Sequence, residues 1–148
     1  MEESRFREII QFAIQREVES MDFYTRASTM VKHSGTRDLF LDFVKQEEGH
    51  KKKLEAVLAG VIVVEKIEKI PNLMISDYMV NAELKPDISY PEILRIAMKR
   101  EERSVKLYTD LSEKNQDENL KTLFVFLIQE ESKHKYYLEK LYDDEVLK

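Results

Sequence analysis

Cysteine is absent from the sequence, and glycine and proline occur only three times each. The first absence excludes disulfides, thiolate nucleophiles, iron–sulfur clusters and cysteine-ligated zinc, so any metal must be held by nitrogen and oxygen. The scarcity of glycine and proline, beside 36% charged residues and long runs rich in Glu, Lys, Leu and Ile, points to helices throughout. No basic stripe is present: Lys and Arg are interspersed along every segment at a net charge of -5, so nucleic acid is not an expected partner. No apolar run approaches the roughly 20 residues that span a bilayer, and Met1-Glu2-Glu3-Ser4-Arg5 lacks the apolar run of a signal peptide. No membrane association is expected, and the expected location is the cytoplasm. A chain of 148 residues makes one domain around a single core.

What is present is a repeat. Glu17, Glu47 and His50 reappear as Glu101, Glu131 and His134, each pair offset by 84 positions. Ile9, Ala13, Arg16, Ser20, Tyr24, Thr25, Ser28, Phe40 and Leu54 recur without a gap as Ile93, Ala97, Arg100, Ser104, Tyr108, Thr109, Ser112, Phe124 and Leu138. The chain therefore reads as a duplicated helical hairpin, with repeat 1 over about 5–58, a crossover over about 59–88 and repeat 2 over about 89–142.

Apolar positions step by three and four from Phe6 to about Val31, which predicts the first helix. Gly35 supplies a terminator and Thr36 an N-cap for a second helix that runs to Leu58. The periodicity then dissolves into Val61-Ile62-Val63-Val64, read as extended chain packed on the bundle because a lone strand would have no partner. A short helix is expected around Asp77 to Leu84. Ser89 and Pro91 open a third helix that ends near Lys114, and Asn115-Gln116-Asp117 turns into a fourth, whose tail from Asp143 is expected to fray. Short turns make each hairpin antiparallel, and the long connection joins them into an all-α antiparallel four-helix bundle with one crossover between helices 2 and 3.

Glu17, Glu47, His50, Glu101, Glu131 and His134 each occupy a slot that the periodicity reserves for an apolar core residue. Burying an ionised carboxylate without compensation costs several kcal/mol, and no Lys or Arg shares these positions. Two divalent cations would balance four carboxylates, with the imidazoles neutral. Glu and His at i and i+3 share one helical face, and the two pairs of glutamates lie symmetrically about their turns, so all four carboxylates reach mid-bundle.

One Glu from each of two helices plus Glu-x-x-His from each of the others is the pattern of ferritin-like di-metal carboxylate proteins. The stretches Ala13-Ile14-Gln15-Arg16-Glu17 through Tyr24 and Gln46-Glu47-Glu48-Gly49-His50, with their repeats, resemble the rubrerythrin family's four-helix domain over residues 5 to 142. The resemblance implies two iron ions per chain, with Glu17 and Glu101 as terminal ligands, Glu47 and Glu131 as bridges, and His50 and His134 on one iron each. It makes Tyr24 and Tyr108 hydrogen-bond donors to carboxylates, although aromatic packing with a satisfied hydroxyl is an equally good reading of those residues. Ser104 stands where the family often has a further Glu, which argues against redox-linked ligand switching. The cysteine-rich rubredoxin-like module of longer members is absent, so a separate electron-donor protein such as a rubredoxin is expected.

The function so implied is reduction of hydrogen peroxide. Manganese suits the same donors, so a manganese catalase-like enzyme is a close variant. Two other classes stand beside it: a ferroxidase or iron-handling protein acting on dioxygen and ferrous iron, and a bundle whose metals only stabilise it. A homodimer or small homo-oligomer is the expected assembly. Glu48, Glu102 and Glu130 are read as solvated, with Glu130 a possible alternate to its neighbouring ligand, His33 as an exposed C-terminal cap, and the six methionines as gap fillers.

Overall fold

Apolar residues three and four positions apart fold the chain into four helices: α1 (Glu2–Ser28), α2 (Ser34–Leu58), α3 (Tyr90–Glu113) and α4 (Glu118–Glu145). The structure, a computed structural model, describes residues 2–65 and 74–147, and among them there is no strand. α1 packs along α2 and α3 along α4, and the hairpins meet where α1 faces α3 and α2 faces α4. This is a ferritin-like four-helix bundle.

The helix ends follow from local chemistry. Ser89 accepts a hydrogen bond from the Glu92 amide ahead of α3, with Pro91 in the first turn, where its missing N–H costs nothing. Asp117 does the same for Leu120 at the start of α4. α1 stops three residues earlier than its apolar pattern predicts. There the Ser28 and Thr29 hydroxyls donate to the carbonyls of Thr25 and Arg26, and the Thr29 and Met30 amides tighten onto Arg26 and Ala27. α2 begins at Ser34 with His33 as its N-cap and no side-chain cap bond. Thr36, expected to cap it, is buried instead, with its hydroxyl 3.1 Å from that of Tyr90, and His33 meets the Tyr90 ring edge-on. Gly35 therefore sits inside the first turn of α2 rather than ending α1. The fourth helix runs on to Glu145, past the expected fraying point at Asp143.

The expected short helix around Asp77–Leu84 is instead a single 3-10 turn, Ile75–Tyr78, followed by extended chain. Its position is set by side chains of the bundle: the Tyr78 hydroxyl donates to Asp110, and Arg103 donates to the Asp77 carbonyl. Of Val61–Val64, expected as extended chain, Val61 and Ile62 instead bend off the end of α2 with their amides donating to the Ala56 carbonyl, and the chain beyond is held where Asn119 donates to the Val63 carbonyl and the Glu65 amide donates to Asp117. Of the expected crossover, residues 66–73 lie outside the described residues.

The core divides into two apolar layers. One gathers Ile9, Ala13, Leu54, Tyr108 and Phe124; the other gathers Ile93, Ala97, Leu138, Tyr24 and Phe40. Each of the five named in one layer is the repeat counterpart of one named in the other, so the duplication maps the two ends of the bundle onto each other. The six acidic and histidine positions fall between them.

Asp117 serves two elements at once, capping α4 through Oδ2 and receiving the Glu65 amide on Oδ1 at 2.8 Å while 4% exposed. Asp117→Ala should cost about 2 kcal/mol, more than an ordinary cap, because a crossover amide is also orphaned. Urea unfolding measures it, and Asp117→Asn should recover about half.

Candidate metal centre

α1 contributes Glu17, α2 Glu47 and His50, α3 Glu101, and α4 Glu131 and His134, none more than 2% exposed. Their donor atoms form two groups: Glu17, Glu47, His50 and Glu131, and Glu47, Glu101, Glu131 and His134. Within each group the atoms lie within 4.8 Å of one another. Glu47 and Glu131 belong to both. His50 Nδ1 lies 2.8 Å from Glu131, 3.2 Å from Glu47 and 3.7 Å from Glu17. His134 Nδ1 lies 3.4 Å from Glu47 and 3.5 Å from Glu101. The imidazoles are stacked 6.2 Å apart, one on each side of the shared carboxylates.

The phenols hold the outer two carboxylates. The Tyr24 hydroxyl donates to Glu101 Oε1 at 2.6 Å, and the Tyr108 hydroxyl to Glu17 Oε1 at 2.7 Å. Each tyrosine thus serves the opposite repeat, because antiparallel α1 and α3 bring it level with the other helix's glutamate. This engages one oxygen of each carboxylate and leaves Glu17 Oε2 and Glu101 Oε2 buried without a hydrogen-bond partner. Both oxygens of Glu47 and of Glu131, and Nδ1 of each histidine, are likewise buried without one. These orphaned atoms are the ones that converge, and a set of hard carboxylate oxygens with two imidazole nitrogens suits Fe(II) or Mn(II). The residues fit a pair of such ions.

Electrostatics gives the same reading. Burial and the repulsion of Glu17 and Glu101 push the Glu47 carboxyl well above the usual carboxylate range. Burial with Glu101, Glu47 and Glu17 does so for Glu131. Burial would raise Glu101 too, but its contact with His134 outweighs this and lowers it. Burial alone would lower the His50 imidazole, yet Glu131 and Glu17 hold it up at about 10. Without metal the layer must borrow protons to approach neutrality. Burial and the nearby carboxylates also push both phenols well above their ordinary range, so they remain donors at any physiological pH.

Of two neighbours of the histidines, Gln46 escapes the sequence reading, which takes Glu130 as solvated or as an alternate ligand. His134 Nε2 lies 2.6 Å from Gln46 Oε1, and the counterpart of Gln46 is Glu130, 4.0 Å from His50 Nε2 and paired with Lys133. Glu130, expected on a solvated face, is only 20% exposed. The available signal was position: both residues immediately precede a core glutamate, one turn from a core histidine. Glu48 and Glu102 are exposed, as expected.

These shifts set a pH dependence for the metal-free protein. Glu47 and Glu131, harder to ionise when folded, withdraw stability as pH climbs above 4.5. His50 contributes stability in full below 6.5 that is lost as pH rises through about 10. Glu101, lowered on folding, loses its contribution as pH falls below 4.5. The metal-free protein should therefore melt highest near about pH 4.5 and progressively lower toward about pH 10. Divalent cations should raise the melting temperature most at the alkaline end, since they take the place of protons. A melting temperature flat with pH and indifferent to metal would contradict this; scanning calorimetry with and without Mn(II) reads it.

A family model described as Rubrerythrin matches residues 8–142. Among solved structures, a hypothetical protein from Pyrococcus furiosus superimposes with a TM-score of 0.72 at 22% identity, covering 92% of this chain and 87% of that one. That likeness establishes the shared fold. No curated protein matches. With the family match spanning nearly the whole bundle, including all six converging residues, the chain belongs to the rubrerythrin family.

Proposed function

We propose that the protein is a di-iron carboxylate oxidoreductase that reduces hydrogen peroxide with electrons from a separate donor protein such as a rubredoxin. Glu17 and His50 would hold one iron and Glu101 and His134 the other, with Glu47 and Glu131 available to both. The observation that carries this reading is the membership of Glu47 and Glu131 in both converging groups. Family membership supports iron as the metal.

Reduction of peroxide to two waters takes two electrons and two protons, and the two bound irons supply the electrons, one each. The chain's part is to hold ligands and manage protons. Tyr24 and Tyr108 fix the outer carboxylates through bonds of 2.6 and 2.7 Å, keeping one oxygen of each aimed inward. Their phenol protons stay on oxygen because the surrounding carboxylates disfavour a phenolate. The apolar layers on both sides confine the polar layer to mid-bundle and keep bulk water from competing for the ligands.

Anaerobically loaded, reduced protein should contain two irons per chain and be oxidised by hydrogen peroxide at least about 10-fold faster than by dioxygen. Stopped-flow absorption of the ferric product measures both. Faster reaction with dioxygen and repeated ferrous turnover would replace this reading with iron handling; dioxygen release from peroxide by a manganese-loaded form would replace it with dismutation. Little metal in both wild type and Glu47→Ala, at equal stability, would end the di-metal reading.

Tyr24→Phe removes one donor and leaves the ring. It should slow the peroxide step about 10-fold, with metal content within error of wild type. Equal rates for Tyr24→Phe and wild type would assign the phenol to packing alone.

A further inference from the structure

The duplication retains Glu17, Tyr24, Glu47 and His50 in both copies but changes the residue before the shared glutamate: Gln46 in the first repeat, Glu130 in the second. We infer that this pair makes the two halves of the centre inequivalent, so that the Glu17/His50 half takes up a divalent cation before, and more tightly than, the Glu101/His134 half. The inference rests on the metal-binding part of the proposed function.

Both imidazoles turn Nδ1 toward the carboxylates and Nε2 away from them. With the Nδ1 lone pair given to a cation, the ring is neutral and carries its hydrogen on Nε2, so the group facing Nε2 sets how strong a donor Nδ1 becomes. For His134 that group is the neutral Gln46 amide oxygen at 2.6 Å. It orients the ring and adds no charge. For His50 it is the Glu130 carboxylate, whose Oε1 lies 4.0 Å from Nε2 while Oε2 is held by Lys133 at 3.2 Å. At that distance it makes no hydrogen bond to Nε2, which is buried without one, but its charge favours the hydrogen on Nε2 and adds an anion near the cation.

The opposing charges are weaker. Lys133 is 66% exposed and therefore largely screened, whereas Glu130 is 20% exposed. Lys53 acts from farther off, over the Phe126 ring whose edge meets His50. On the other side His134 stacks on Phe43 at 4.0 Å, which adds packing and no charge. Gln46 and Glu130 thus act through the histidines and are positioning residues.

The test is equilibrium titration of the metal-free protein with Co(II), read by its visible absorption and by calorimetry. Sharing of Glu47 and Glu131 separates the two steps in any variant, so the decisive quantities are how each step moves. Glu130→Gln should weaken the first step by about 10-fold or more and leave the second alone. Gln46→Glu should strengthen the second step by a similar factor, a gain that damaged folding does not produce. Glu17→Ala should abolish the tight step and Glu101→Ala the weak one. Titrations of Glu130→Gln and Gln46→Glu that superimpose on wild type, or a first equivalent lost in Glu101→Ala, would overturn the inference while leaving the di-metal centre standing. Failure of wild type to bind Co(II) at all would overturn both.

Discussion

Four carboxylates confined to one buried layer of a helical bundle are the constraint on which everything else depends. Their ion-pair partners within that layer are two imidazoles. A hydrophobic core of this size gains from every methylene it encloses and loses heavily for each uncompensated charge, so such a layer is retained only where something compensates it. The protons of the metal-free form are a partial answer. Two divalent cations would be a complete one, meeting buried oxygen and nitrogen atoms that have no hydrogen-bond partner.

Duplication explains how so short a chain brings six converging acidic and histidine side chains to one place. A single hairpin supplies Glu17, Glu47 and His50, half of a centre, with no means of burying them. Its copy, set antiparallel across α1 and α3, supplies the other half and places each tyrosine on the opposite repeat's glutamate. The two apolar layers exchange under the same relation, so packing and chemistry share one symmetry. Where the copies diverge, at Gln46 and Glu130, the symmetry of the centre is broken without disturbing the ligands.

The helices and the polar layer were legible in the sequence because both depend on spacing. A period of three and four names the inward face, and an acid on that face is visible without any coordinates. What was not legible depended on distances across the bundle. Nothing in the local pattern says that Tyr24 reaches Glu101 rather than Glu17, since that is decided by the stagger of antiparallel helices. Gln46 lies outside the apolar stripe and looks like any exposed glutamine until His134 is brought against it from α4. The helix ends at Ser28 and Ser34 were misplaced because hydroxyl bonds to terminal carbonyls, and a buried Thr36, overrode the usual glycine and threonine signals. The single turn at Ile75–Tyr78 is held by Asp110 and Arg103 of α3, contacts with no local signature.

The central claim is that the polar layer is a two-metal site bridged by Glu47 and Glu131. Anomalous diffraction at the iron edge from iron-loaded crystals tests it most directly. The account predicts two peaks per chain about 3.5–4 Å apart, one beside His50 and one beside His134, with both shared carboxylates between them. A single peak, or iron bound away from Glu47 and Glu131, would contradict it.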